Sequence, residues 1–334
     1  MKPPLVLKRL LTVSIVLFLL LLAAMLLGLS VGSTGSSLTA TLHAIWGNNK
    51  IDPTLSAIIW RIRLPRVLLA ALVGATLSVG GLVFQALLRN PLAEPYILGI
   101  SGGSAIGAII GILLGVSPFP GVSLFAFIGS MATLLLILMM VSGQTILKRE
   151  SLLLSGVMVN AFCAAVIMFL VSLTRDSRLH NIIFWLMGDF SMVDARQVAI
   201  LGATLLPGLI LIFCFAHPMN LLLTGKEQAQ SMGVHVKAVT VTLLVTTSFM
   251  VSATVSHSGL LGFVGLVMPH LLRLLLGPDH RVLVPACILG GSTYMVLCDI
   301  LARILPEQGE MPVGVITAMI GAPLFIFLMK TSKR

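Results

Sequence analysis

Two apolar runs joined by a short polar turn, between Arg63 and Gly115, constrain the fold of this chain more than any other feature. Each run has about 20 residues, which is enough for a helix to cross roughly 30 Å of bilayer hydrocarbon. The turn RNPLAEP between them carries two prolines, a cation, a carboxylate and an amide. Because such a turn needs water or a protein partner, the pattern predicts a membrane protein with several spanning helices.

The composition extends this prediction to the whole chain. Of its 334 residues, 57% are hydrophobic and only 10% are charged, which is more apolar surface than a soluble domain can bury. We therefore expect an all-α polytopic membrane protein, a single transmembrane domain of residues 1–334 with about ten helices. The candidate spans lie near residues 10–30, 66–88, 96–115, 122–146, 152–172, 196–215, 238–255, 260–276, 282–302 and 312–330. The eighth is short and carries Pro269, His270 and Arg273, which predicts a broken or re-entrant helix.

The orientation follows from the positions of lysine and arginine. The first apolar run, Leu10 to Leu29, is longer than the core of a signal peptide and lacks an A-x-A site, so it is expected to be retained as a span. With an inside N-terminus, 13 of the 21 cations fall on the inner face, as the positive-inside rule requires. Both termini are therefore expected to be cytoplasmic.

Glycine recurs at every fourth residue of the third span, at Gly99, Gly103, Gly107, Gly111 and Gly115. This spacing is typical of a small-residue stripe that lets another helix approach closely, with the lining of a substrate path as the alternative. The stretch Gly99–Gly103 also matches G-x-S-x-G. A nucleophile elbow needs a strand before its serine, however, and here a proline-containing turn precedes it, so no catalytic residue is predicted.

The chain lacks the sequence motifs that are typical of several classes of function. The chain has no G-x-x-x-x-G-K-[ST] phosphate loop, no H-E-x-x-H motif and no basic patch interleaved with aromatics. Binding of nucleotide, metal or nucleic acid is therefore not expected, and no cofactor is predicted for this chain. The four cysteines fall in apolar runs without metal-ligand spacing and are expected to be small buried hydrophobes: Cys163, Cys214, Cys287 and Cys298.

Ionisable groups are scarce inside the spans, where the clearest pair is Asp299 with Arg303 at i,i+4 spacing. An ion-coupled carrier usually needs an acid or histidine relay at membrane depth. The shortage argues against a single-chain secondary carrier, which stays as a remote alternative beside a purely structural membrane subunit.

Two polar regions remain. On the inner side, His217 to Gly233 is expected to form one or two short helices, with Thr224 as an N-cap, Gly233 as a C-terminal glycine, and Ala229 and Met232 on an exposed face. This segment is either a solvated loop or a docking surface for a cytoplasmic protein. On the outer side, three arginines either anchor helices among the lipid headgroups or dock to acidic side chains: Arg63, Arg66 and Arg303.

Six blocks of sequence, in order and over nearly the whole chain, resemble the FecCD family of ABC-importer permeases. They are RLPR at 63–66, QALLRNPLAEPYILGISGG at 85–103, LLLSGV at 152–157, MNLLLTGKEQAQSMGV at 219–234, GFVGLVMPHLLRLLLGPDHRVLVP at 262–285 and MPVGVITAMIGAPLFIFLM at 311–329. The resemblance implies a cobalamin-importer-like permease fold in the bacterial inner (cytoplasmic) membrane, and a chain that is not itself an enzyme.

The resemblance also implies partners and a function. The partners are a second copy of this chain, two cytoplasmic ATPase subunits that use ATP and Mg²⁺, a periplasmic or lipid-anchored substrate-binding protein, and membrane lipid. The implied function is alternating-access uptake of an iron chelate, either a siderophore or haem, with cobalamin or another metal chelate as the alternative.

Matching positions receive roles by the same resemblance. A coupling segment at about 217–236 would meet the ATPase through Leu223, Gly225, Glu227, Gln228, Ala229, Met232 and Gly233. The outer arginines would receive acidic residues of the binding protein. A cytoplasmic gate would comprise Asn90, Leu92, Lys148 and Arg149, the last two replacing small polar residues of some relatives. The translocation path would be lined by Met158, Asn160 and Phe162.

Overall fold

The structure, a computed structural model, describes residues 3–31, 53–141, 149–174, 176–306 and 309–331, and within these ranges it contains helices and no strand. The α-helices are α1 (Pro3–Ser30), α2 (Pro53–Ile58), α3 (Leu64–Leu88), α4 (Ile100–Leu114), α5 (Ser123–Val141), α6 (Arg149–Ser172), α7 (Asp176–Met187), α8 (Ala195–Cys214), α9 (Ala216–Thr224), α10 (Lys226–Ser231), α11 (Val236–Ser258), α12 (Val264–Leu276), α13 (His280–Ile304) and α14 (Val313–Thr331). Short π segments at Ile59–Arg63 and Pro118–Val122 precede α3 and α5, and a 3₁₀ turn at Pro95–Leu98 precedes α4. The predicted all-α fold is confirmed.

The membrane helices match the predicted spans in number and place. Seven helices in the described ranges are long and apolar enough to cross a bilayer, namely α1, α3, α5, α6, α8, α11 and α13. Three more are apolar but shorter: α4, α12 and α14. The short eighth span predicted from the sequence is the 13-residue α12.

Helix α3 lies at the centre of the bundle because its small residues let neighbouring backbones approach. A Cβ atom at Gly81 would lie 1.7 Å from the carbonyl oxygen of Gly265 in α12, and one at Gly74 would lie 2.2 Å from that of Gly291 in α13. Only glycine fits such contacts, which pack helices through close backbone approach. Helix α1, by contrast, turns much of its leucine-rich surface outward.

The glycine stripe of the third span is a packing face, as predicted. A Cβ atom at Gly103 or Gly107 would lie 2.4 or 2.1 Å from the carbonyl oxygens of Gly129 and Phe125 in α5. Gly99 and Gly115 instead have positive φ angles of 67° and 73° and bound α4 at its two ends. The stripe therefore both packs α4 against α5 and sets the length of α4.

Helix α7 is not among the predicted spans, because its 12 residues are too few to cross a bilayer. Its C-terminal end is held by close backbone contacts: Cβ atoms at Gly259 and Gly314 would lie 2.2 Å and 2.1 Å from the carbonyl oxygens of Trp185 and Met187. The N–H of Val313 also donates to the oxygen of Gly188 at 3.0 Å. The end of α7 is thus tied to the segments that begin α12 and α14.

Candidate functional site: inner gate, coupling segment and outer arginines

Two of the four predicted gate residues, Asn90 and Leu92, follow directly on α3. They lie in a turn from Arg89 to Gly99 that we call the gate turn. Arg89 ends α3 in a left-handed conformation, with φ at 44°. The side-chain oxygen of Asn90 accepts a hydrogen bond from the N–H of Leu92 at 3.0 Å, which fixes a tight turn and leaves the Leu92 side chain exposed. Lys148 lies outside the described residues, and of Arg149 only the backbone is described, as the first residue of α6. The gate assignment stays a prediction.

Sequence reasoning missed that the gate turn is tied to the short helix α12. The carboxylate of Glu94 accepts a hydrogen bond from the N–H of Phe263 at 3.1 Å, at the N-terminus of α12. The hydroxyl of Tyr96 bonds both the N–H and the oxygen of Leu261 at 3.2 Å. Burial raises the pKa of Glu94, while the Phe263 N–H acts in the opposite direction. The only hint in the sequence was a carboxylate beside a proline in a turn between two spans.

The three residues predicted to line the path do not share one environment. Met158 and Phe162 on α6 are 60% and 69% exposed on the surface of the isolated subunit. Asn160 instead donates through Nδ2 to the oxygen of Tyr96 at 3.1 Å. Asn160 therefore ties α6 to the gate turn, whereas Met158 and Phe162 are available to line a passage or meet a partner.

The coupling segment forms two short helices, α9 and α10, as predicted. Gly225 separates them with φ at 135°, and Gly233 follows α10 with φ at 86°, so both positions favour glycine. Thr224 is not an N-cap: it is the last residue of α9 and its hydroxyl donates back to the oxygen of Leu221 at 2.8 Å. The residue before α10 is Gly225, which offers no side chain for capping.

The prediction that Ala229 is exposed is wrong, because its side chain is 0% exposed and packs beneath α10. Met232 is 58% exposed, as expected, and Leu223 is also exposed. Ala229 fails the expectation because a six-residue helix lying on a bundle must bury one face to be held there. The outward face, with Leu223, Glu227, Gln228 and Met232, is the surface open to a partner.

Polar contacts fasten the coupling segment to two membrane helices. The side chain of Asn220 donates to Asp279 at 2.7 Å and accepts from the N–H of His280 at 2.9 Å, at the start of α13. The guanidinium of Arg89 donates to the oxygen of Leu222 at 2.5 Å, at the end of α3. Burial alone would raise the pKa of Asp279, but hydrogen bonds from Arg281 and Asn220 outweigh it and hold that pKa at about 2. The coupling segment is therefore rigidly mounted rather than a free loop.

The outer arginines form a buried cluster with Asp299. Arg66 donates from Nε to Asp299 at 2.7 Å, and Nη2 of Arg303 lies 3.1 Å from the other oxygen of the same carboxylate. The side chain of Asp299 is 0% exposed, and those of Arg66 and Arg303 are each 6% exposed. The i,i+4 pair predicted from the sequence is thus present, with Arg66 as an additional partner.

Other contacts of the cluster go to the end of α1 and to one surface acid. Arg63 donates to the oxygens of Leu29 and Ser30 at 2.7 and 3.1 Å, and Arg303 donates to those of Gly28 and Val31 at 3.0 and 3.2 Å. Cations suit the carbonyl end of a helix, where the last four oxygens lack helical partners. Arg66 also contacts Glu310, whose side chain is 46% exposed. These internal contacts test neither headgroup anchoring nor docking, so both stay predictions.

Neither the cysteines nor the potential metal-binding side chains form a further site among the described residues. Cys163, Cys287 and Cys298 are buried as expected, but Cys214 at the end of α8 is exposed, because α8 turns that face outward. Within the described ranges, no three histidine, cysteine, aspartate or glutamate side chains gather where they could hold a metal ion.

Together, the bundle and the mounted inner segment define a multi-pass membrane permease that presents a structured surface outside its spans. The profile of the FecCD transport family matches residues 20–331. The chain belongs to that family and is a permease of the ABC importer type.

Individual relatives agree with this assignment. The vitamin B12 import system permease protein BtuC of Salmonella arizonae is 42% identical over 277 residues, covering 83% of this chain and 84% of that protein. The uncharacterised ABC transporter permease protein YvrB of Bacillus subtilis is 37% identical over 325 residues, covering 93% and 91%. A solved structure, described as an inward-facing conformation of a metal-chelate type ABC transporter, has 31% identity and a TM-score of 0.86, covering 96% of this chain and 99% of the other.

Proposed function

We propose that this chain is the permease of an ATP-driven importer that carries a metal chelate across the bacterial cytoplasmic membrane, with both termini cytoplasmic. The rigidly mounted coupling segment is the single observation that carries the proposal. Its outward face offers apolar and polar side chains, and its base is bonded to α3 through Arg89 and to α13 through Asn220. A partner that moves this segment would move both helices.

Helix α13 connects the coupling segment to the arginine cluster and could transmit movement between them. At its inner end Asp279 and His280 hold Asn220 of the coupling segment, and near its outer end Asp299 holds the arginine cluster. A helix of 25 residues is about 37 Å long, so one continuous helix is long enough to join the two faces of the membrane. ATP-driven closure of two ATPase subunits would push on α9 and α10 and tilt α13, which would open one face while closing the other.

The gate turn lies on the same route. Arg89 begins this turn and also holds the coupling segment, while Glu94 and Tyr96 hold the start of α12. Movement of the coupling segment would therefore reach Asn90 and Leu92 directly. Lys148 and Arg149 would complete the gate from the start of α6.

The substrate would pass between two copies of this chain. The surface of α6 carries a row of exposed apolar side chains that a soluble subunit would not tolerate, including Phe162, Met168 and Phe169. α14 adds Met319, Ile326 and Phe327. One part of this surface would face the second copy and the other part lipid, leaving Met158 and Phe162 to line a wide, apolar passage suited to a bulky chelate.

The binding protein would dock at the outer arginine cluster. Arg66 and Arg303 share the carboxylate of Asp299 there, and Arg66 also contacts that of Glu310. Asp299 is inaccessible, whereas Glu310 is at the surface. An acidic side chain of a binding protein could therefore take the place of Glu310 on Arg66 without disturbing Asp299.

For the substrate, the similarity to vitamin B12 permeases favours a cobalamin-like corrinoid, and the metal-chelate transporter structure favours an iron chelate as the second candidate. The test is uptake into proteoliposomes that contain this chain with its ATPase and binding protein. We expect ATP-dependent accumulation of labelled cyanocobalamin that an uncoupler does not reduce. Accumulation of a ferric siderophore or haem instead would select the second candidate. Uptake driven by an ion gradient without ATP would exclude the importer and indicate a secondary carrier.

A further inference from the structure

A small apolar cavity with a basic rim lies beneath the coupling segment. Its volume is about 120 Å³, and it is enclosed by the end of α3, the 3₁₀ turn before α4, the start of α6, the coupling segment and the first two turns of α11. Its wall is apolar, with Phe84, Leu98, Leu152, Leu222 and Leu244 among the residues that line it. Apolar cavities of roughly this size stay dry in other proteins and accept apolar groups.

Three cations line the same cavity: Arg89, Lys226 and Lys237. No aspartate or glutamate is among the described residues that line it. Arg89 donates to a carbonyl oxygen, that of Leu222, which is not a counter-ion. None of the three forms a salt bridge within the described ranges, unlike Arg66, Arg281 and Arg303. Three uncompensated positive charges therefore surround an apolar space.

We propose that this inner basic cavity binds an anionic phospholipid of the adjacent leaflet. The phosphodiester would lie between Lys226, Lys237 and Arg89, and the first part of an acyl chain would enter the apolar space. The two halves of the cavity together favour an anionic amphiphile. The three cations would repel a metal ion, and the leucine-rich wall can bury an apolar chain that a purely polar anion lacks. Basic pockets between helices at the cytoplasmic side bind such headgroups in other membrane proteins.

Bound lipid would add a shared contact to the hydrogen bonds of Arg89 and Asn220 that already fasten the coupling segment. Lys226 belongs to α10, Lys237 to the first turn of α11, and Arg89 to the end of α3. A phosphodiester shared by the three would hold the coupling segment at the membrane surface. The proposal concerns lipid binding by the purified chain, so it stands whether or not the proposed transport function is correct.

The first experiment measures lipid binding by native mass spectrometry of the purified chain. Phosphatidylglycerol is titrated against phosphatidylcholine, and the double variant K226Q/K237Q is compared with the single variant K8Q. Lys8 is also an exposed cation on the predicted inner side, but it does not line the cavity. Each lysine near a lipid surface contributes about fivefold in affinity, so we expect phosphatidylglycerol to bind about 25-fold more weakly to the double variant and unchanged to K8Q. Equal binding by the wild type and the double variant would overturn the proposal.

A second experiment separates lipid from a free anion and tests the apolar half. Inorganic phosphate and glycerol phosphate are added as competitors to the phosphatidylglycerol complex, and T240F places a ring into the cavity from α11. Lipid binding predicts that neither competitor displaces phosphatidylglycerol at equal concentration, and that T240F weakens binding while the chain stays monodisperse. Displacement by inorganic phosphate would show an anion site without a lipid requirement and overturn the assignment. If T240F aggregates, L244N tests the same wall, and unchanged lipid affinity in it would equally contradict the proposal.

Discussion

At the predicted outer end of the bundle, Arg63, Arg66 and Arg303 bury their guanidinium groups, whereas at the predicted inner end Lys226 and Lys237 leave their side chains at the surface. The outer group is satisfied by Asp299 and by the carbonyl oxygens that end α1. The inner group surrounds an apolar cavity that no carboxylate lines among the described residues. Both groups look alike in sequence, as cations near the ends of apolar runs.

The two groups differ in whether their cations are free to bind a ligand. A buried cation with a buried counter-ion is committed to the fold, because separating the pair leaves an uncompensated charge. A surface cation without a counter-ion remains free for a ligand or a lipid. We therefore expect substitutions in the outer cluster to act mainly on folding, and substitutions at the inner surface to act mainly on binding.

Replacement of Asp299 by alanine gives the largest expected effect. The change leaves Arg66 and Arg303 buried without their shared carboxylate, which typically costs about 3–5 kcal/mol. We expect loss of monodisperse protein in detergent and a large fall in the thermal unfolding temperature. The matched control, Asp279→Ala at the partly exposed inner end of α13, should remain folded. An Asp299→Ala protein as stable as the wild type would show that the outer cluster is not structural.

Met232→Glu tests the inner surface. Because Met232 is exposed, the variant should insert and fold normally, yet a charge placed in an interface should cost about 2 kcal/mol or more, or about 30-fold in affinity for the ATPase. Co-purification of the two proteins measures this. Met192→Glu, at a still more exposed methionine on the opposite side of the predicted membrane, is the control and should retain the ATPase. Normal ATPase capture by Met232→Glu would remove α10 from the docking surface.

Glu310→Gln separates docking from folding within the outer cluster. If Glu310 competes with a binding-protein acid for Arg66, its neutralisation should raise binding-protein affinity by up to about fivefold, because exposed pairs contribute at most about 1 kcal/mol. Surface binding kinetics at low salt measure the gain, and salt should reduce it. Unchanged affinity at low salt would mean that Glu310 does not compete. Lower affinity would mean that Glu310 itself supports the docking face.

The smallest expected effect concerns the pH dependence contributed by Asp279. Its pKa in the folded protein is about 2, below its ordinary value of 3.8, so its contribution to stability is present above pH 4 and is lost as the pH falls towards 2. Its pair with Arg281 is partly exposed, so the contribution should stay below about 1 kcal/mol. Unfolding temperatures of the wild type and Asp279→Asn should converge as the pH falls from 5 to 3. A constant difference would show that the carboxylate charge is not what stabilises the site.

Sequence patterns predicted the elements that depend on long runs of residues. The ten apolar helices, the short α12, the glycine face of α4 and the two helices of the coupling segment all follow from hydrophobic length and glycine spacing. The Asp299–Arg303 pair was also predictable, because residues four apart on a helix are neighbours. Local periodicity carries this information without knowledge of the packing.

Contacts between distant segments could not be predicted in the same way. Nothing local pairs Glu94 with Phe263, Asn220 with Asp279, or Arg66 with Asp299, since each contact joins residues 59 or more positions apart. The burial of Ala229 depends on which face of a six-residue helix meets the bundle, and so short a segment has too few apolar positions to show it. Helix α7 was missed for the same reason of length.

What the sequence alone determined is thus the membrane location, the number of long apolar helices, the family and the positions of the charged residues along the chain. What only the tertiary structure decided is which of those charges are neutralised. Whether a cation is buried beside Asp299 or left at the rim of an apolar cavity depends on how α1, α3, α11 and α13 pack, because the energy of a charge is set by its surroundings in space.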